Sequence, residues 1–214
     1  AMTNLMSKYM ISRRTFMSSL LTLGLTFLSA TALDAAPEVN IEPVKKWIEK
    51  QATMKSAIVK FTQERRLRTL KKPIVKEGKF WFRAPSTFRW EIGDPAEMIA
   101  VQQEKEDLCV VKVKDKEIDQ YPYEKVVAEG SQNGLSFLES GFPRDLASFQ
   151  KNFSILSVKE NQGFHEVQTK LTDRRASLGC RKIVFFLDLK SHELRHVHLY
   201  FRDGSVMTNR FQSM

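Results

Sequence analysis

From residue 58 onward, apolar and polar residues alternate in short runs, and a turn signal closes most of them. Phe80 and Phe82 alternate with Lys79, Trp81 and Arg83, while Phe88, Trp90 and Ile92 alternate with Arg89 and Glu91. A period of two puts successive side chains on opposite faces of a strand. Further runs cover residues 98–102, 108–113, 153–158, 164–171, 183–189, 194–201 and 205–211. Between runs stand Ala84-Pro85-Ser86, Gly93-Asp94-Pro95, Lys114-Asp115-Lys116, Asn161-Gln162-Gly163 and Asp203-Gly204. Consecutive strands joined by such short turns predict an antiparallel meander, since parallel strands need long crossover connections.

Few segments depart from this pattern. Val44, Trp47, Ile48, Gln51 and Met54 recur at helical spacing among Lys45, Lys46, Glu49 and Lys50, which predicts one amphipathic helix. Within residues 130–151, Gly134 to Leu138 and Pro143 to Leu146 predict two short helices. A sheet of roughly eight or more strands needs closure, a second sheet or a cover. With so little helix, the predicted class is mainly β with α: an unclosed antiparallel β-barrel, a half-barrel, covered by helices. Apolar residues on both strand faces near Trp81 and Phe186 imply that part of each face is buried.

The first 32 residues differ in kind. Lys8, Arg13 and Arg14 precede an apolar stretch, Phe16 to Leu28, and acidic residues are absent before Asp34. Ala30-Thr31-Ala32 then offers the small residues a signal peptidase reads. Ser12-Arg13-Arg14-Thr15-Phe16-Met17 also resembles a twin-arginine export signature. The expectation is an export signal over residues 1–32, one domain over 33–214, and a soluble periplasmic product. Cleavage removes three positive charges from a formal +9, so the remainder stays basic. Basic excess suits nucleic acid, anionic headgroups or an acidic partner, and export makes nucleic acid the poorest fit. Cys109 and Cys180 are either bridged or buried as free thiols.

Residues 56–102 resemble LolA, the periplasmic lipoprotein carrier family. The resemblance rests on Phe61-Thr62-Gln63, Gly78-Lys79-Phe80-Trp81-Phe82, Pro85-Ser86-Thr87-Phe88-Arg89-Trp90-Glu91 and the run from Asp94-Pro95 to Val101. It continues more weakly over most of residues 40–211. It implies a helix-covered half-barrel whose apolar concavity takes acyl chains, with no cofactor and no catalysis. It also implies acylated lipoproteins as cargo, an inner-membrane transporter and an outer-membrane receptor as partners, and a monomeric carrier. No Cys follows the apolar stretch, which favours the carrier over the lipid-anchored receptor LolB of the same fold.

Candidates for the lining are Trp47 and Met54 on the helix, Phe80, Phe82, Phe88 and Trp90 on strands, and Phe137 and Leu138 on the second helical piece. Each also fits plain core packing. The sequence departs from the family in places. Ala84 precedes Pro85 where the family has an Arg tied to lid opening, and Arg83 faces the other way. The turn Glu104-Lys105-Glu106-Asp107 lacks the usual Gly, and Leu108-Cys109-Val110-Val111 replaces an aromatic strand. The ending Phe211-Gln212-Ser213-Met214 marks either a short divergent member or a truncated sequence.

Other chemistry is set aside. His192-Glu193-Leu194-Arg195-His196 matches the H-E-x-x-H zinc motif, which requires a helix to bring both imidazoles to one metal. Here it enters a strand, where residues four apart lie about 13 Å from each other. His196 and His198 share a strand face, where surface exposure or adventitious metal binding are the alternatives. No nucleophile elbow, phosphate-cradling Gly loop or CxxC pair is present. Arg65, Arg66, Arg68, Lys71 and Lys72 form a basic cluster in a hairpin, either solvated or a docking patch for anionic headgroups or an acidic partner. Rival readings are a lipid or glycolipid carrier for another export system, a metal hydrolase and an envelope-stress sensor domain.

Overall fold

A computed structural model of the chain describes residues 39–124, 143–172 and 179–212. In chain order its elements are α1 (Glu42–Thr53), β1 (Ser56–Arg66), β2 (Ile74–Arg83), β3 (Thr87–Ile92), β4 (Met98–Gln102), β5 (Leu108–Lys112) and β6 (Glu117–Tyr121). They continue with α2 (Leu146–Asn152), β7 (Phe153–Asn161), β8 (Phe164–Leu171), β9 (Cys180–Asp188), β10 (Leu194–Phe201) and β11 (Val206–Phe211). The strands form one 11-stranded sheet in the order β6-β5-β4-β3-β2-β1-β11-β10-β9-β8-β7. Every pairing is antiparallel. β6 and β7 end the order without pairing to each other, so the sheet is unclosed.

The chain's first and last strands meet at the centre: β1 pairs with β11, Phe61 opposite Phe211 and Gln63 opposite Asn209. Register follows burial. Val59, Phe61, Phe80, Phe88, Trp90, Ala100, Leu108, Val110, Val167, Phe185, Leu187, Val197 and Phe211 alternate onto one face and form one core. That core runs from β5 across to β7 and takes in both helices, so this face is the inner one.

α1 buries Pro43, Val44, Trp47, Ile48 and Gln51, close to the predicted stripe. A proline at its start and Glu42 in its first turn suit the N-terminus. The helix stops where Met54 turns extended. The second short helix lies later than expected, at Leu146–Asn152. Asp145 is its N-cap, its carboxylate accepting from the Ser148 amide at 2.7 Å and the Ser148 hydroxyl at 2.6 Å. That cap fixes the start, so residues 143–145 are lead-in rather than helix. The piece expected at Gly134 to Leu138 lies outside the described residues. β6 was not anticipated: Glu117–Tyr121 is a short edge strand that leaves Ile118 exposed.

Two departures from the family take physical form. Lys105, in the turn without Gly, has φ +59°, a left-handed conformation costing a non-Gly residue roughly 1–2 kcal/mol. Cys109 and Cys180 are both free, on β5 and β9 with six strands between them in the sheet order. Burial pushes the Cys180 thiol up.

Candidate functional site

The inner face carries two aromatic groups. The first is built on strands alone. Phe61 lies 4.1 Å from Trp90 between ring centroids, Trp90 is 5.4 Å from Phe80, and Phe80 is 6.4 Å from Phe88. Phe211 closes the group from β11, 6.1 Å from Phe61 and 6.3 Å from Trp90. These tilted and edge-on contacts suit the ring quadrupoles. Gly78 is part of the arrangement, because a Cβ there would run into the Phe61 ring and reach within 2.6 Å of the Glu91 carbonyl. Gln63 Nε2 donates to Asn209 Oδ1 at 3.1 Å and ties β1 to β11 beside the rings. The separate motif residues Phe61, Gly78, Phe80, Phe88 and Trp90 thus form one cluster in space.

The second group depends on helices. Trp47 from α1 meets Phe149 of α2 edge-on at 5.6 Å and Phe185 of β9 at 5.5 Å. Phe153, the first residue of β7, lies 4.9 Å from Phe149 and 5.5 Å from Phe185. Trp47 Nε1 is buried and finds no hydrogen-bond acceptor among the described residues.

Of the predicted lining, Phe80, Phe88 and Trp90 come together, and Trp47 stands in the second group. Met54 and Phe82 are half-buried near the C-terminus of α1. Phe137 and Leu138 lie outside the described residues. Phe61, read from the sequence only as part of a motif, joins these groups, as do Phe211, Phe149, Phe153 and Phe185, which sequence reasoning did not single out for the site. That reasoning also passed over Arg144, whose Nη1 donates to the Met54 carbonyl at 2.8 Å and makes a longer contact, 3.4 Å, to that of Gln51. The Gln51 carbonyl already accepts from the Met54 amide at 3.1 Å, and Met54 is the residue that ends α1, so a guanidinium on its carbonyl caps the helix and complements its dipole. The Arg144 guanidinium also stands 5.7 Å over the Phe82 ring. In its last turn α1 is also held by Lys50, whose Nζ donates to Glu193 at 2.8 Å and to the Ser191 carbonyl at 3.3 Å.

The histidines fall into two settings. His165 is buried on the inner face and stacks on His192 at 5.7 Å. Burial holds its imidazole below the ordinary range; His192 and Lys46 add to this and Glu160 opposes it. His196 and His198 lie on the outer face with Phe186, at 5.9 and 4.6 Å, and burial lowers both. The H-E-x-x-H segment therefore straddles a turn and a strand: His192 has φ +55°, and its ring packs against different residues from that of His196. Phe186, His196 and His198 also supply the outer-face burial anticipated near Phe186.

A single-sheet half-barrel with two aromatic groups on a helix-covered inner face defines the class of this molecule. The chain belongs to the family of the outer membrane lipoprotein carrier protein LolA, whose model matches residues 52–214. No curated protein matches the chain. Among solved structures, a LolA superfamily protein from Nitrosomonas europaea is 9% identical with a TM-score of 0.40, the match covering 79% of this chain and 91% of that one. A putative outer membrane lipoprotein-sorting protein domain from Vibrio parahaemolyticus is 11% identical with a TM-score of 0.43, covering 79% and 91%. A DUF1329 family protein from Desulfovibrio piger is 8% identical with a TM-score of 0.44, covering 78% and 87%.

Proposed function

We propose that this protein carries lipoproteins between the two membranes of the envelope, holding their acyl chains on the aromatic inner face. The observation that carries the reading is that, among the described residues, this face is covered partly by two short helices and not by a second sheet. Trp47 and Trp90 are 0% and 1% exposed, so an acyl chain enters only when a cover moves. The strands between the two edges are held by ladders of backbone hydrogen bonds on both sides. α1 is held by Trp47 packing, the Arg144 cap and the Lys50–Glu193 pair, and is the cheaper element to displace.

The energetics suit a carrier. Burying a methylene is worth about 0.8 kcal/mol, so a C16 chain offers about 10 kcal/mol or more at full burial. Lifting the helices gives part of this back, which leaves cargo held firmly but releasably. The Trp47 indole N–H supplies a donor that a bound ester carbonyl can satisfy. Family membership supports the periplasmic setting, a transporter to load the carrier and a receptor to unload it. No helix among the described residues is long and apolar enough to cross a membrane.

Native mass spectrometry of the protein purified from its own periplasm tests the reading. The expected result is added mass that fragments to an acylated N-terminal Cys peptide. A glycolipid or free phospholipid adduct would instead assign the face to another export system. Stoichiometric zinc in place of lipid would contradict the carrier.

A further inference from the structure

We propose that the hairpin joining β1 and β2, residues 65–76, docks the protein on the surface of an anionic phospholipid bilayer. The segment reads Arg65-Arg66-Leu67-Arg68-Thr69-Leu70-Lys71-Lys72-Pro73-Ile74-Val75-Lys76, with six basic residues and no acidic one. The last ladder pair is Arg65 with Ile74 on one side of the hairpin and Gln63 with Lys76 behind it, so residues 67–73 project past the sheet. A bond from the Leu70 amide to the Leu67 carbonyl, 3.2 Å, folds the tip tightly.

Two properties coincide there. The first is unspent charge. Arg66 pairs with Glu64 and Lys76 with Glu97, and Arg65 acts electrostatically on Asp203, while Arg68, Lys71 and Lys72 have no carboxylate within 4.0 Å among the described residues. Asp203, in the β10–β11 turn, accepts from the Ser205 hydroxyl and amide and also feels the Arg65 charge. The second is exposed apolar surface. Leu70, Ile74 and Val75 are 46%, 41% and 56% exposed, three large hydrophobic residues in water within a six-residue span. The base of the hairpin is steadied: the Arg68 side chain lies against Gly204, where a Cβ would come within 2.7 Å of Arg68 Cδ.

A bilayer of anionic lipid meets both properties at once. Its headgroups attract cations within a Debye length, and its acyl boundary lies just beneath to receive Leu70, Ile74 and Val75. A free anion would engage the guanidinium groups and leave the apolar residues in water. The purpose of such docking rests on the proposed acyl-chain carriage. Strands β1 and β2 lead from the hairpin to Phe61, Phe80 and Phe82, so docking brings one end of the inner face to the membrane.

The test is flotation of the purified chain, free of cargo, with vesicles of phosphatidylethanolamine and phosphatidylglycerol and with vesicles of phosphatidylcholine alone. Binding is expected only to the anionic vesicles, falling as salt rises. The triple substitution Arg68→Glu, Lys71→Glu, Lys72→Glu should weaken it by about a hundredfold, since each cation near such a surface matters at the level of several-fold. Leu70→Ser with Ile74→Ser should weaken it severalfold with unchanged melting temperature. Equal binding to both vesicle types, no binding to either, or insensitivity to the charge reversals would overturn the proposal. So would binding to polyglutamate that matches the anionic vesicles and ignores Leu70→Ser, which would point to an acidic protein. Because vesicle binding is read without cargo, its failure leaves the acyl-carrier reading standing, and a missing acyl adduct leaves the docking reading standing.

Discussion

Trp90 and Trp47 are both buried in aromatic company, yet they are held in different ways. Trp90 sits on β3 between hydrogen-bonded neighbours, Phe80 on β2 opposite it and Ala100 on β4. Moving it means breaking the sheet. Trp47 sits on a 12-residue helix that touches the sheet through side chains and is fastened at its end by one guanidinium. The difference assigns roles. Under the proposed carrier function, the strand group is the fixed floor of the inner face, and α1 with its Trp47 is the part of the cover that lifts.

The sharpest way to break this comparison is to truncate both tryptophans. Trp90→Ala should cost about 3–5 kcal/mol in urea denaturation and lower the melting temperature by about 10 °C or more. Trp47→Ala should cost less in stability, because the helix can settle, and should raise the rate at which a fluorescent acyl probe binds. Equal effects of the two on both measurements would remove the distinction.

The second test stays on the floor. Gly78→Ala should destabilise by about 1–3 kcal/mol, the Cβ having no room beside the Phe61 ring. Adding Phe61→Leu should recover part of that loss, a coupling that a double-mutant cycle reads directly. Simple additivity of the two substitutions would mean that the ring and the glycine are not packed as described.

The third test addresses the cover. Arg144→Ala should cost about 1–2 kcal/mol. By hydrogen exchange, the amides of α1 should open faster while those of β1 to β3 keep their protection. Uniform acceleration across both regions would contradict a locally fastened helix.

The smallest expected effect is on pH. His165, near Lys46 of α1, is buried and held below its ordinary range, as burial also holds His196 and His198. A base whose folded value lies below its unfolded one binds more protons when unfolded, so stability rises with pH through that window. Stability should therefore be full above about pH 6.5 and decline below it as unfolded histidine becomes charged. His165→Gln should flatten part of the decline, as read from urea midpoints across the range. A midpoint that is level in pH for the original protein would show that these imidazoles are not held neutral.

Much of this was legible in the residues because period-two alternation with polar turns leaves little choice but an antiparallel meander. α1 was legible for a related reason: Val44, Trp47, Ile48 and Gln51 make one stripe, and nothing else in the chain repeats that spacing over several turns. The floor was legible in part. Phe80, Phe88 and Trp90 alternate cleanly, but Phe61 stands in a run with Thr62 and Gln63 that does not reveal its face. Phe185 was hidden by its neighbour Phe186, since two adjacent aromatics send one ring to each side and only strand register says which. Phe149 and Phe153 could not be joined to Trp47 by any local pattern, as the contact crosses about a hundred residues of chain. Arg144 carried no signal beyond its charge, because a helix cap supplied from a distant loop leaves no spacing to read.

An acyl-chain carrier of this build takes its cargo on the inner face and not on the outer one. A photo-crosslinking residue placed at Phe82, half-buried on the inner side of β2, or at Ile58, 70% exposed on the outer side of β1, decides it directly. With a diacylated lipopeptide as cargo, a crosslink is expected from position 82 and none from position 58. Labelling from 58 alone, or equally from both, would contradict it.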